Sequence, residues 1–167
     1  TSWYIYATIW CANHDTTNGS GGETSRFYAY CKNTAAAAGV LRVGIYGDDA
    51  GYNRPQGLIA TAEITVPANS AEGWFSAPIT ATLAANTKYW LAQVAHPSAF
   101  PAGFQVKFGA DVAYRHSYYS GGYNPLPDPW PESTANNQNR WAIYVEYGSG
   151  GTSFIGNKFD HYARLRG

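Results

Sequence analysis

Methionine is absent from this sequence and charge is scarce: 11 basic residues balance 11 acidic ones, and together they make up 13% of 167 residues. A balance of zero without a basic cluster removes the electrostatic grip that phosphate backbones require, which excludes nucleic acid as the expected partner. Long apolar runs are also missing. The longest bland stretch, residues 35–40, is far too short to span a bilayer. No charged segment followed by an apolar run opens the chain, so no signal peptide is read, and the lack of Met suggests a processed or excised product. Catalytic spacings are lacking too. Histidines at 14, 96, 116 and 161 form no His-x-x-x-His pair, and no Gly-x-Ser-x-Gly elbow occurs. His14-Asp15 could orient an imidazole, but no nucleophile stands beside it. Glu63, Glu72, Glu132 and Glu146 are the carboxylates from which a glycosidase pair would be drawn, and sequence sets no distance between them. The expectation is a protein that is not an enzyme.

The chain is rich instead in Ser, Thr, Asn and Gly, with 14 Tyr and 6 Trp. Its hydrophobic pattern has a period of two. Leu41, Val43 and Ile45 alternate with Val40, Arg42, Gly44 and Tyr46. Ala60, Ala62, Ile64 and Val66 alternate with more polar neighbours, as do Phe104, Val106 and Phe108. Trp141, Ile143, Val145 and Tyr147 do the same. Such alternation turns one face of each strand to a core and the other to water. Further strands are read at 3–12, 26–31, 74–79, 88–95 and 112–119, giving about nine, separated by Gly-, Asn- and Pro-rich turns. Only 34–38 could start a helix, and it is too short to persist. The expected fold is all-β: a two-sheet antiparallel sandwich of jelly-roll or immunoglobulin-like type. Its core should contain Leu41, Val43, Ile45, Ile64, Trp90 or Leu91, Val106, Ile143 and Val145. The sandwich should occupy residues 1–147. Residues 148–167 then read as a Gly/Ser linker and an interaction tail.

Four local features carry chemistry. Cys11 and Cys31 each fall on a strand-like run joined by one turn-rich connection, so the two are expected to be neighbours, either disulfide-bonded or as buried thiols. Asp48, Asp49 and Asn53 cluster oxygens around a glycine. They suit either a tight turn or a calcium ion, the one cofactor the sequence suggests. The segment 118–130 carries Tyr118, Tyr119, Tyr123 and Trp130 on a Gly/Pro-rich loop, with Asn124 and Asp128 beside them. Flat rings next to hydrogen-bonding groups suit a glycan or a protein interface, and the bland alternative is a loop closing the end of the sandwich. In the tail, Phe154, Phe159 and Tyr162 are too apolar for a solvated end, and Arg164 and Arg166 could pair with acidic groups on a partner. Asn18-Gly19-Ser20 matches a glycosylation sequon, a tripeptide frequent by chance.

The run Leu41-Arg-Val-Gly-Ile-Tyr-Gly-Asp-Asp-Ala-Gly51 leads into Pro55-Gln-Gly-Leu-Ile-Ala60. Trp74 follows, then Leu83-Ala-Ala-Asn-Thr-Lys-Tyr-Trp-Leu-Ala92 and Trp141-Ala-Ile-Tyr-Val-Glu-Tyr147. This succession resembles β-sandwich modules of secreted bacterial proteins and of phage virion or tail proteins, some of them non-catalytic carbohydrate-binding modules. The resemblance covers residues 40–95 and 140–147 and implies an extracellular, cell-surface or virion setting. The expected function is a structural or assembly module packing on neighbouring subunits, as a homo-oligomer. The alternative is a carbohydrate-binding module or adhesin that grips glycans with Tyr and Trp loop residues.

Overall fold

The computed structural model describes residues 2–4, 9–96, 99–110, 116–120, 126–131, 135–137, 139–148 and 153–156. These form an all-β sandwich of two antiparallel sheets, with no α-helix among the described residues. The strands are β1 (Ser2–Tyr4), β2 (Ile9–Thr16), β3 (Gly22–Asn33), β4 (Gly39–Asp49), β5 (Arg54–Val66), β6 (Ser70–Pro78) and β7 (Thr82–Leu83). They continue with β8 (Lys88–Ala95), β9 (Phe104–Ala110), β10 (His116–Ser120), β11 (Ala135–Asn137), β12 (Asn139–Trp141), β13 (Ile143–Tyr147) and β14 (Ser153–Gly156). One sheet runs β1-β9-β3-β13-β14, with β12 added to β9 and β6 and β7 added to β3. The other runs β11-β10-β2-β8-β4-β5.

Period-two patterning explains which residues meet between the sheets. Leu41, Val43, Ile45 and Ile64 from the six-stranded sheet face Phe27, Ala29, Val106, Ile143 and Val145 from the eight-stranded one, all fully buried in one cluster. β8 departs from simple alternation because both of its faces are covered. Tyr89, Leu91 and Ala95 enter the space between the sheets. Trp90, Ala92 and Val94 join a second cluster outside it, with Tyr46, Leu126 and Trp130. Leu91, not Trp90, is therefore the member of the shared core.

Polar groups enter the interior as well. Asn13 donates from Nδ2 to the carbonyl of Trp141 at 2.9 Å, stitching one sheet to the other. Among the described residues, Asn13 Oδ1, Trp141 Nε1 and both amide atoms of Gln93 lack a hydrogen-bond partner. Each such group costs about 1–3 kcal/mol when buried unpaired, so they are not neutral filler.

Two sequence expectations are corrected here. The cysteine runs do not pair: β2 belongs to the six-stranded sheet and β3 to the eight-stranded one. Cys31 is a buried, unbonded thiol whose pKa is pushed up by burial, so the disulfide expected of it is absent, and the Cys11 side chain lies outside the described residues. The tail is not wholly separate either. Its first residues form β14, paired with β13, and Ile155 is fully buried in the shared core. The boundary drawn at 147 therefore falls too early.

Candidate binding face

The loop expected to present rings does the opposite with the residues that can be seen. Trp130 is 4% exposed, its ring edge-on to Tyr46 at 5.1 Å, and Leu126 lies in the same cluster. Asp128 is exposed, but its Oδ1 accepts the Leu58 backbone N–H at 3.0 Å, and the Trp130 N–H reaches the Gln56 carbonyl at 2.8 Å. The Tyr46 hydroxyl donates to the Pro127 carbonyl at 2.8 Å, and burial followed by the nearby Asp128 charge raises its pKa. Residues 126–130 form a flap closing the outer face of the six-stranded sheet. Trp130 is thus corrected from contact residue to core residue. Tyr118 and Tyr119 lie on β10, but their side chains, like Tyr123 and Asn124 entirely, fall outside the described residues. So do Phe159, Tyr162, Arg164 and Arg166 of the tail.

The Asp48–Asn53 loop is held by its own cations. Asp48 Oδ1 accepts the Trp90 indole N–H at 2.7 Å and lies 3.2 Å from Lys88 Nζ. Lys88 also reaches Asn53 Oδ1, and Asp49 Oδ2 pairs with Arg54 Nε at 3.2 Å. The Asp49 carbonyl accepts both the Tyr52 and Asn53 N–H groups, and Asn53 takes φ 51°, as a tight turn demands. Lys88 and Arg54 occupy carboxylate oxygens that a calcium ion would also draw on, and the backbone takes the form of a turn. No group of three or more His, Cys, Asp or Glu side chains able to hold a metal occurs among the described residues.

Among the described residues, Glu146 is set apart from Glu63 and from Glu72, and Glu132 lies outside them. Glu63 pairs with Arg42 at 2.6 Å on the six-stranded sheet, whereas Glu146 lies on the eight-stranded one. Glu72 precedes Trp74, which sits opposite Tyr30, while Glu146 sits opposite Arg26. Gly73 sits opposite Cys31 and Glu72 lies beyond it, so at least five residues of β3 separate Glu72 from the level of Glu146, about 17 Å at the strand rise. That is wider than the roughly 5–9.5 Å of glycosidase pairs.

His14 contacts Trp90 edge-on at 4.8 Å, and its pKa is lowered, first by burial and then by the Lys88 charge. Protonation therefore favours the unfolded chain. The stability this histidine protects should be complete above about pH 6.5, the ordinary imidazole value, and decline as pH falls through the depressed one. Urea midpoints measured down that range should fall less steeply in His14→Gln than in the parent.

The eight-stranded sheet carries the ring cluster that the sequence reading placed elsewhere. On β3, Phe27, Ala29 and Cys31 point inward, which turns Tyr28 and Tyr30 outward. On β13, Ile143, Val145 and Tyr147 point inward, which turns Tyr144 and Glu146 outward. β6 supplies Trp74 opposite Tyr30, and β14 supplies Phe154 opposite Glu146. The rings interlock. Tyr28 and Tyr144 stack at 4.5 Å and 5°, Trp74 meets Tyr144 edge-on at 4.9 Å and Tyr30 at 5.2 Å, and Phe154 meets Tyr144 at 5.9 Å. Tyr144 is the hub, only 3% exposed, whereas Phe154 is 50% exposed and Tyr28, Tyr30 and Trp74 are half-buried.

Polar groups border these rings. Lys107 Nζ sits 4.7 Å from the centre of the Tyr30 ring, within cation–π range. The Tyr28 hydroxyl donates to Glu146 Oε2 at 3.0 Å, and partial burial followed by that carboxylate raises the phenol pKa. Arg26 Nε donates to Ser76 Oγ at 3.1 Å. The sequence signal for this face was present but unread: aromatics on the solvent phase of strands whose other phase fills the core. The chain matches no protein-family model and no curated protein sequence.

Proposed function

We propose that this protein is a non-catalytic glycan-binding module of an extracellular or virion-borne assembly, and that Tyr28, Tyr30, Trp74 and Phe154 form its contact face. The observation that carries this reading is the interlocked ring cluster on the outer face of the eight-stranded sheet. A sheet face fixes rings more rigidly than a loop, so little side-chain entropy remains to be lost on binding. Rings with one apolar face stack on sugar C–H groups, and Glu146, Arg26, Ser76 and Lys107 at the border suit hydroxyls. Burial of Tyr144 makes it the support for the others rather than a contact residue.

Packing of the same face on neighbouring subunits is the second reading, favoured by the half-exposed Phe154 on the terminal strand β14 of the sheet. Calorimetric titration with soluble oligosaccharides chosen from a glycan array tests the first. Trp74→Ala is expected to weaken binding about tenfold or more, equivalent to about 1.4 kcal/mol, with little change in the thermal midpoint. Unchanged affinity in Trp74→Ala and Tyr30→Ala would remove the glycan reading. Sedimentation of the parent as a concentration-dependent oligomer that Phe154→Ser dissolves would favour subunit packing.

A further inference from the structure

We infer that Cys11 and Gln93 are the two halves of an internal thioester, a covalent site for amine nucleophiles. In the ladder between β2 and β8, Cys11 is the direct register partner of Gln93. Residues directly opposite in an antiparallel pair share a sheet face, with Cβ atoms about 4.5–5.5 Å apart. A cysteine arm and a glutamine arm span that gap with a sulfur–carbon bond. Gln93 lies on the phase of β8 that enters the space between the sheets, next to Leu91 and opposite Val43. It is 1% exposed, and neither atom of its amide has a hydrogen-bond partner among the described residues.

An amide in that position has lost its hydrogen bonds to water and gained none in return, which raises the free energy of the amide form. Conversion to a thioester removes the unpaired N–H donors altogether. The step needs no oxidant. The Cys11 sulfur attacks Cδ of Gln93, the sulfur–carbon bond forms, the carbon–nitrogen bond breaks, and the thiol proton leaves with the nitrogen as ammonia. A primary amine reverses the logic: it attacks the thioester carbonyl, forms an amide with Gln93 and releases the Cys11 thiol. The ligand class is therefore a small primary amine, captured covalently. Cys31 is the internal comparison. Its register partners are Gly73 and Val106, so no amide stands opposite, and it remains a thiol. This site lies between the sheets and does not depend on the outer ring face.

Intact mass of the denatured wild-type chain tests the inference without any variant having to fold. The expected mass is lighter than the sequence by one ammonia, with Cys31 the one titratable thiol. Methylamine should add once, at Gln93, and free a second thiol. The deficit should persist in Cys31→Ala and vanish in Cys11→Ala and Gln93→Ala. Full sequence mass with both thiols titratable would overturn the inference. A deficit that survives Cys11→Ala would also overturn it, by tracing the ammonia loss to a succinimide at Asn18-Gly19.

Discussion

Trp130→Ala is expected to lower the unfolding free energy by about 3–5 kcal/mol, the usual range for truncating a buried tryptophan. Against a domain stability of about 5–15 kcal/mol, that is a large fraction. The reason is local. The indole fills the space over Tyr46 and lies in one cluster with Trp90, Ala92 and Leu126. Gly44 lies beneath the same flap, where a Cβ would stand 2.5 Å from Leu126 Cδ1, so flap and sheet are fitted without spare volume. Removing the indole leaves a cavity and loosens the chain between Leu126 and Trp130, which otherwise hydrogen-bonds to Gln56, Leu58 and Tyr46. Urea unfolding should show the loss, while glycan affinity of the folded fraction at low temperature should stay unchanged. Reduced affinity with unchanged stability would restore Trp130 to a contact surface.

The same tryptophan shows where the sequence was legible and where it was not. The runs at 26–31, 40–46, 58–66, 74–79, 88–95 and 104–108 each fall on a single strand of the sandwich, because period two is imposed locally by the pleat and needs no knowledge of neighbours. The runs 3–12 and 140–147 each divide between two strands, and 112–115 lie outside the described residues. Leu41, Val43, Ile45, Ile64, Val106, Ile143 and Val145 all lie in the shared core for that reason. A loop has no period. Whether Trp130 points out or folds back depends on what the outer face of β8 offers, and Trp90, Ala92 and Val94 are apolar there. The clue was that β8 reads as apolar on both phases, a sign of a strand covered on both sides.

The candidate face failed to emerge for the complementary reason. Tyr28, Tyr30, Trp74 and Tyr144 are scattered over more than a hundred residues of sequence, and only the order β6-β3-β13-β14 brings them together. The cysteines show the same limit. Turn-rich connections suggested that Cys11 and Cys31 share a hairpin, whereas β2 and β3 diverge into opposite sheets and β8 becomes the neighbour of β2. Long-range pairing is decided by the whole set of hydrophobic faces, so a local turn signal cannot assign it.

Ile155→Ala is expected to cost about 2–5 kcal/mol and to do so in the monomer, because the side chain is fully buried in the core shared by both sheets. The strand that carries it is anchored from two directions. β13 pairs along its length, with Val145 opposite Ile155. From the other sheet, Asp15 Oδ2 accepts the Gly156 N–H at 3.0 Å, and from β12 of the same sheet Arg140, which lies 3.7 Å from that carboxylate, donates to the Gly156 carbonyl at 3.2 Å. Gly156 itself takes φ 105°, and a Cβ there would stand 2.4 Å from the Ile143 carbonyl oxygen, so only glycine fits the approach. Deleting residues 153–167 should therefore lower the thermal midpoint, at concentrations where the parent chain is monomeric. It would uncover the β13 edge and leave the Ile155 site open to water. If the deletion instead dissolves an oligomer and leaves the midpoint of the monomer unchanged, β14 contributes to assembly rather than to the fold of its own chain.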